Sequence, residues 1–172
     1  MGVAFCLLFA WWFVSGIVMM YTDYPSVGPR ETIEHAAPLD ASRIRLSPRE
    51  AVAKLDPNGP DPGIATLSMF DGRPAYRFPE AGALVFADDG TRLDQYPRDL
   101  LLRLAAQWSG QPAASAQLTE VTKPEQWTLG VRRLLPLLKY TFPDGQQVYI
   151  SEPLGSVVQA TTTRTRLLSH LG

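Results

Sequence analysis

The chain has 172 residues, of which 45% are hydrophobic, and its 16 basic and 17 acidic residues leave a net charge of -1. This balance lacks the basic excess of a nucleic-acid-binding surface, so we expect no nucleic-acid partner. The one cysteine, Cys6, excludes a disulfide within the chain and lies in an apolar run, where a thiol packs as a small hydrophobe.

The first predicted element is a helix in the uncharged, apolar run of residues 3–20. At about 1.5 Å per residue this run extends roughly 27 Å, close to the roughly 30 Å hydrocarbon core of a bilayer. We therefore predict a transmembrane helix over residues 1–22, a lipid-bilayer partner, and Tyr21 and Tyr24 at the membrane surface. The alternatives are a signal peptide, for which a basic n-region and cleavage site are missing, and a buried helix, which usually has a polar side.

Residues 23–42 predict a linker, because prolines and glycines interrupt mixed charges without a helical or strand period. A first folded unit is predicted over residues 43–95. It opens with a helix at Ser47-Pro48-Arg49-Glu50, in which the serine caps, the proline suits the first helical position and the glutamate completes a capping box. Asp71-Gly72 predicts a tight hairpin turn. The strands expected in this unit are 63–70, 73–78 and 83–87.

A second unit is predicted over residues 96–163. A helix from about Pro97 to Trp108 carries Leu100, Leu101, Leu104, Ala105 and Trp108 on one face, and Gly110 ends it. The strands expected after it are 115–121, 135–142, 146–151 and 156–161. Residues 164–172 are expected to begin a second membrane segment, so the chain is interpreted as a fragment of a larger protein.

The two hairpins align with a constant shift of 73 residues and no gap. Asp71-Gly72 then falls on Asp144-Gly145, and Tyr76 falls on Tyr149. Chance agreement between two Asp-Gly hairpins is the alternative, because such hairpins share local rules. We prefer an internal repeat, which predicts an α+β fold: an N-terminal transmembrane helix and then two units, each a helix packed on a small antiparallel sheet.

The PepSY domain is resembled by the helix at residues 47–55 together with the segments 72–78, 147–151 and 154–158. The flanking segments 12–21 and 161–166 resemble the PepSY-associated transmembrane proteins, a group similar to iron-regulated membrane proteins. PepSY domains occur in peptidase propeptides and in cell-envelope proteins, where inhibition or peptide binding has been proposed. Some multi-helix relatives are haem-containing ferric-siderophore reductases. The resemblance implies two PepSY-like units and residence in the cytoplasmic membrane, with the folded part on the periplasmic, extracytoplasmic side.

No catalytic motif is evident in the chain, so the residues leave open whether it belongs to an enzyme, and a soluble hydrolase with an N-terminal anchor is disfavoured. His35 and His170 lack a second ligand at metal spacing, so we expect no metal site. No cofactor is expected within these residues. If the full-length protein binds haem, its ligands are expected elsewhere.

Three features are candidates for interaction. Trp127 beside Arg132 and Arg133 has the composition of an interface, although a packing tryptophan with solvated arginines is the favoured alternative. Arg164 and Arg166 are candidates for contact with lipid headgroups, or form a solvated end. The edge strands of each sheet could accept an extended peptide.

These features predict a non-enzymatic extracytoplasmic PepSY module of an integral membrane protein that binds or regulates a partner protein or peptide, such as a peptidase. The alternative is the outer domain of a haem-containing, ferric-siderophore reductase-like protein of iron uptake. Downstream helices with paired histidines would favour the alternative.

Overall fold

The computed structural model describes residues 2–21, 26–56, 58 and 61–169, and within them the fold is α+β. The described helices are α1 (Gly2–Tyr21), α2 (Pro29–Glu34), α3 (Pro48–Val52), α4 (Arg98–Ser109) and α5 (Thr163–Ser169). The described strands are β1 (Thr66–Phe70), β2 (Arg73–Phe78), β3 (Ala83–Phe86), β4 (Arg92–Leu93), β5 (Gln117–Val121), β6 (Leu137–Thr141), β7 (Gln147–Ser151) and β8 (Ser156–Thr161).

The described strands form two four-stranded antiparallel sheets, ordered β1-β2-β3-β4 and β5-β6-β7-β8. In both sheets each strand pairs with its neighbour in the sequence. Short connections join these antiparallel pairs, except that residues 122–136 connect β5 to β6. The turn between β1 and β2 contains only Asp71 and Gly72, both with positive φ, which matches the twist of a two-residue hairpin. β4 and α2 were not predicted, and α2 lies in the segment interpreted as a linker.

Helix α4 lies between the two sheets and forms the centre of the main core. Its buried residues Leu100, Leu101 and Ala105 pack in one cluster with Phe70, Ala75, Leu84 and Phe86 of the first sheet region and with Leu138, Tyr140, Phe142, Val148 and Ile150 of the second. A helix with apolar residues at this spacing needs an apolar surface to cover it, and here both sheets supply one. The faces that the two sheets turn toward α4 are called the inner faces below.

Different segments cover the two outer faces. Ala51 of α3, with Ile44 and Leu55 beside it, packs on the first sheet. The capping box predicted at Ser47 and Glu50 starts α3, with both reciprocal hydrogen bonds present. The outer face of the second sheet is covered by residues 122–136, in which Trp127 packs in one cluster with Val121, Leu137 and Tyr149.

The two hairpins of the internal repeat do not align with one constant shift when their strand pairing is compared. Tyr76 pairs with Leu67 and Val85, whereas Tyr149 pairs with Lys139 and Gln159. The number of residues between equivalent positions is therefore 72 for β1 and β6, 73 for β2 and β7, and 74 for β3 and β8. The second hairpin turn is one residue longer than the first. β8 also carries a bulge opposite Tyr149 and Ile150. Each insertion raises the shift between equivalent residues by one.

The predicted transmembrane helix at residues 1–22 requires correction. No helix among the described residues has both the length and the apolar character that crossing a bilayer requires. This finding contradicts the predicted membrane span. The described large side chains of α1 are exposed, with Trp12 at 67%, so they are not part of the core.

Candidate functional site

A cleft lies between the two sheets, where the turn that joins β7 to β8 meets β2 and the start of α4. Arg77 of β2 donates from Nη1 to the carbonyl of Leu154 at 2.5 Å and from Nη2 to the carbonyl of Gly155 at 3.3 Å. The ring of Tyr96 lies against Gly155 so closely that a Cβ at position 155 would come within 2.3 Å of a ring carbon. Glycine is required there, since it has φ +55° and no side chain to strike the ring.

The cleft consists of two cavities that share Tyr96 and Pro153 as lining residues. The larger, about 600 Å³, is lined by the polar residues Asp94, Gln95, Arg98 and Glu152 and by prolines. The smaller, about 150 Å³, contains the Arg77 side chain in a largely apolar wall. Its apolar wall includes Phe78, Pro79, Ala83 and Leu154. A large cleft of mixed polarity that leads to a small apolar recess with one cation is suited to binding an elongated ligand.

The charges around the cleft are unevenly paired. Arg98 lies 3.7 Å from Glu152 across the larger cavity, and both side chains are about half-exposed. By contrast, Arg77 has no carboxylate within ion-pair distance in the part of the chain that the structure describes. Burial lowers the pKa of Arg77, with Tyr96 opposing that effect, but a guanidinium stays protonated in proteins. Burial raises the pKa of Tyr96, because it disfavours the charged phenolate. The recess is therefore a positively charged site.

A second surface of interest is the outer edge of β5. This strand is paired only with β6 among the described strands, and four of its five residues are exposed. Val121 is its one buried residue. Backbone N–H and C=O groups along an unpaired edge are available to an added strand.

The structure separates the residues predicted around Trp127. Trp127 is only 9% exposed and packs on the outer face of the second sheet, and its carbonyl accepts a hydrogen bond from Gln159 Nε2 at 2.7 Å. Arg132 and Arg133 are exposed on the 3₁₀ turn Arg132–Leu134 that follows. The tryptophan and the two arginines therefore do not present one joint surface.

The residues predicted to lie near a membrane fall in different settings. Arg164 is exposed on α5, whereas Arg166 donates to Thr161 Oγ1 at 2.8 Å and to the carbonyl of Gly145 at 2.7 Å, which holds α5 against the second hairpin turn. Tyr21 ends α1. Tyr24 lies outside the described residues.

The histidines also fall in different settings. His35 stacks on Trp108 of α4, with ring centroids 4.1 Å apart. The stack links the segment after α2 to the end of α4. His170 lies outside the described residues.

Sequence reasoning did not select Arg77 or Tyr96. The sequence does contain an indication for Arg77. It lies two residues after Ala75 on β2, so its side chain is on the same inner face, where a charge is costly. Nothing in the sequence indicates that Tyr96 contacts Gly155, which lies 59 residues later. Comparisons of the chain with protein-family models, with curated proteins and with solved structures find no match.

Proposed function

We propose that this chain is a non-enzymatic binding module that accepts an extended segment of a partner protein or peptide along the open edge of β5. The observation that carries this proposal is the exposure of four of the five residues of β5. Among the described strands, β5 has no neighbour on its outer side. An incoming strand would pair its backbone with these groups, which is the usual form of recognition by strand addition.

The side chains of β5 supply a basis for sequence preference. Leu118 pairs with Tyr140 and therefore lies on the inner side of the sheet, where it is 45% exposed. Thr119 lies on the opposite face, because successive side chains of a strand alternate. A partner strand would therefore place one side chain opposite Leu118, which favours a partner with an apolar residue at that position.

The other described edges are less suited to an added strand. β1 has one exposed residue of five, and β4 contains only two residues. β8, the other edge of the second sheet, has six residues and none of them is exposed. Natural edge strands often carry lysine or proline that blocks pairing, and β5 has neither, with Glu120 as its one charged residue. The edge of β5 is thus the longest exposed one among the described strands.

The resemblance to the PepSY domain supports the same class of partner. That resemblance associates the chain with peptidase propeptides and with peptide binding, and strand addition is a physical route by which a propeptide-like segment inhibits or senses a peptide. A role in a haem-containing protein of iron uptake stays a prediction, because neither the edge nor the cleft argues for it specifically.

The test is selection of binding peptides by the full chain from a random 12-residue display library, followed by affinity measurement with the fluorescein-labelled winners. We expect bound peptide to protect the β5 amides from hydrogen exchange. Leu118→Lys should weaken binding at least tenfold, because lysine at an edge opposes pairing. Leu129→Lys is the matched control, since Leu129 is 52% exposed and lies outside every strand. Failure to select a peptide, or peptides that bind both variants equally and protect other residues, would overturn the proposal.

A further inference from the structure

The recess around Arg77 presents a cation that the described residues leave without a counter-charge. Arg77 lies on the inner side of β2, with its guanidinium carbon 5.2 Å from the centroid of the Phe70 ring. A buried charge is costly unless it is paired or hydrogen-bonded. The carbonyls of Leu154 and Gly155 accept two of its hydrogen bonds. A guanidinium has five N–H donors, so three remain for another acceptor.

Tyr96 supplies a second donor in the same recess. The residue is only 5% exposed, and its hydroxyl has no hydrogen-bond partner among the described residues. Buried tyrosine hydroxyls usually find a partner. The hydroxyl of Tyr96 keeps contact with the cavities, since no fully enclosed side-chain polar atom of the described residues lacks a partner. It is therefore free to donate to a ligand in the cleft.

The size and wall of the recess limit what it can hold. A volume of about 150 Å³ corresponds to roughly five water molecules, enough for an acidic group with a short aliphatic body. Its apolar wall, with Pro79 and Leu154, suits such a body. The recess opens toward the larger cavity of about 600 Å³, which has room for the rest of a longer ligand.

The donors favour a carboxylate over a phosphate. A planar guanidinium fork matches the two oxygens of a carboxylate, and a phenol adds one more donor. A phosphate dianion would need more positive charge than this recess offers, and the carboxylates of Asp94 and Glu152 line the adjoining cavity. Their negative charge disfavours a dianion more than a monoanion.

We infer that Arg77 and Tyr96 form a binding site for a carboxylate on a small aliphatic body, taken either from a free short-chain acid or from the C-terminus of a peptide. The carboxylate accepts hydrogen bonds from both side chains, and its aliphatic part packs in the recess. The site lies apart from the edge of β5, so this inference does not depend on strand addition.

The test uses nuclear magnetic resonance on the full ¹⁵N-labelled chain, in which the Arg77 Nε–Hε signal reports on the guanidinium directly. Sodium butyrate is titrated first, and butyramide, which has the same shape without the charge, is the matched ligand control. We expect butyrate to shift the Arg77 signal saturably and butyramide to leave it unchanged. Inorganic phosphate should bind more weakly than butyrate.

Variants identify the donors. Tyr96→Phe keeps the ring against Gly155 and should weaken butyrate binding about tenfold or more, the usual size of one hydrogen bond to a charged group. Arg77→Gln should abolish binding. Arg132→Gln, at an exposed position far along the chain, should leave it unchanged. Because Tyr96→Phe removes only a hydroxyl, it decides the question if Arg77→Gln does not fold.

Two further ligands identify the source of the carboxylate. The tripeptide Ala-Ala-Val is compared with its C-terminal amide. Tighter binding of the free acid than of butyrate would assign the site to peptide C-termini, whereas binding of butyrate alone would assign it to short-chain acids. No saturable response of Arg77 to any carboxylate, an equal response to butyramide, or stronger binding of phosphate would overturn the inference.

Discussion

The two sheets have the same strand order, but their outer faces are covered by different kinds of structure. The capped helix α3 and the residues before it cover the first sheet, whereas residues 122–136, with 3₁₀ turns and no α-helix, cover the second. In each sheet a tyrosine of an inner strand, β2 or β7, reaches the segment that covers the outer face. Tyr76 donates to the carbonyl of Leu46 at 3.0 Å, and the Tyr149 hydroxyl lies 3.5 Å from Glu125 Oε2. Similar strands therefore have their outer faces buried in both sheets, but the kind of segment that covers the face differs.

The two inner faces are covered by one shared helix, α4, whereas each outer face has its own covering segment. α4 contacts β7 and β8 of the second sheet, and its core cluster also includes Leu84 and Phe86 of the first. Arg103 of α4 donates to both carboxylate oxygens of Asp71 in the first hairpin turn. One helix therefore serves both sheets, and neither sheet keeps its inner face covered without it.

The largest expected effect comes from removing the cover of the second sheet. Trp127→Ala should lower the free energy of unfolding by about 4 kcal/mol, because a buried tryptophan loses its contacts and leaves a cavity. Urea denaturation followed by circular dichroism measures the loss. Leu129→Ala, in the same segment but 52% exposed, should cost well under 1 kcal/mol. A Trp127→Ala cost below 1 kcal/mol would show that residues 122–136 are not a structural cover.

The shared helix gives the next largest effect. Leu101 is fully buried between the sheets, so Leu101→Ala should destabilise the fold by about 3 kcal/mol. Because both sheets lose part of their cover, amides in β2 and β7 should show the same reduction in the free energy of exchange. A reduction confined to one sheet would show that the two sheets unfold independently.

Local patterns predicted much of this fold. The capping box at Ser47, the Asp71-Gly72 turn, the strand Arg73–Phe78 and the glycine end of α4 at Gly110 each depend on neighbours in the sequence, and each was predicted with bounds close to those observed. Such signals are readable because capping and turn conformation are set by a few adjacent residues.

The features that were missed depend on contacts between distant residues. The apolar face of α4 was predicted, but its period does not reveal that two sheets share it. The cleft requires the turn at Leu154 and Gly155 to meet Arg77, about 77 residues earlier in the chain. The ion pair between Arg73 and Asp88 likewise joins positions 15 residues apart.

That ion pair distinguishes the two sheets in their response to pH. Arg73 donates to both oxygens of Asp88, which holds the pKa of this carboxyl below its usual range. The ionised pair should stabilise the fold above about pH 4, the ordinary value of an aspartate, and the contribution should disappear as the pH falls through the lowered value. Asp88→Asn should therefore cost about 1.5 kcal/mol at pH 7 and much less near pH 2.

Asp144, in the second hairpin turn, is the matched control for Asp88. Its pKa is lowered by the backbone N–H of Gln146, a hydrogen bond that an asparagine side chain also accepts. Asp144→Asn should cost less than Asp88→Asn at pH 7. Equal pH dependence of the two variants, from urea denaturation at each pH, would contradict a special role for the Arg73 pair.

The smallest expected effect concerns the start of α3, where the covers of the two sheets differ most. Ser47 accepts a hydrogen bond from the Glu50 N–H, and the Glu50 carboxylate accepts one from the Ser47 N–H at 2.7 Å. Ser47→Ala should cost about 1 kcal/mol, whereas Ser47→Asp, which keeps a capping acceptor, should cost little. Since α3 covers only the first sheet, hydrogen exchange should quicken near Ala51 and Val85 and stay unchanged near Trp127. Faster exchange around Trp127 as well would mean that the two covers are coupled through the sheets, because no described contact of α3 reaches that cluster directly.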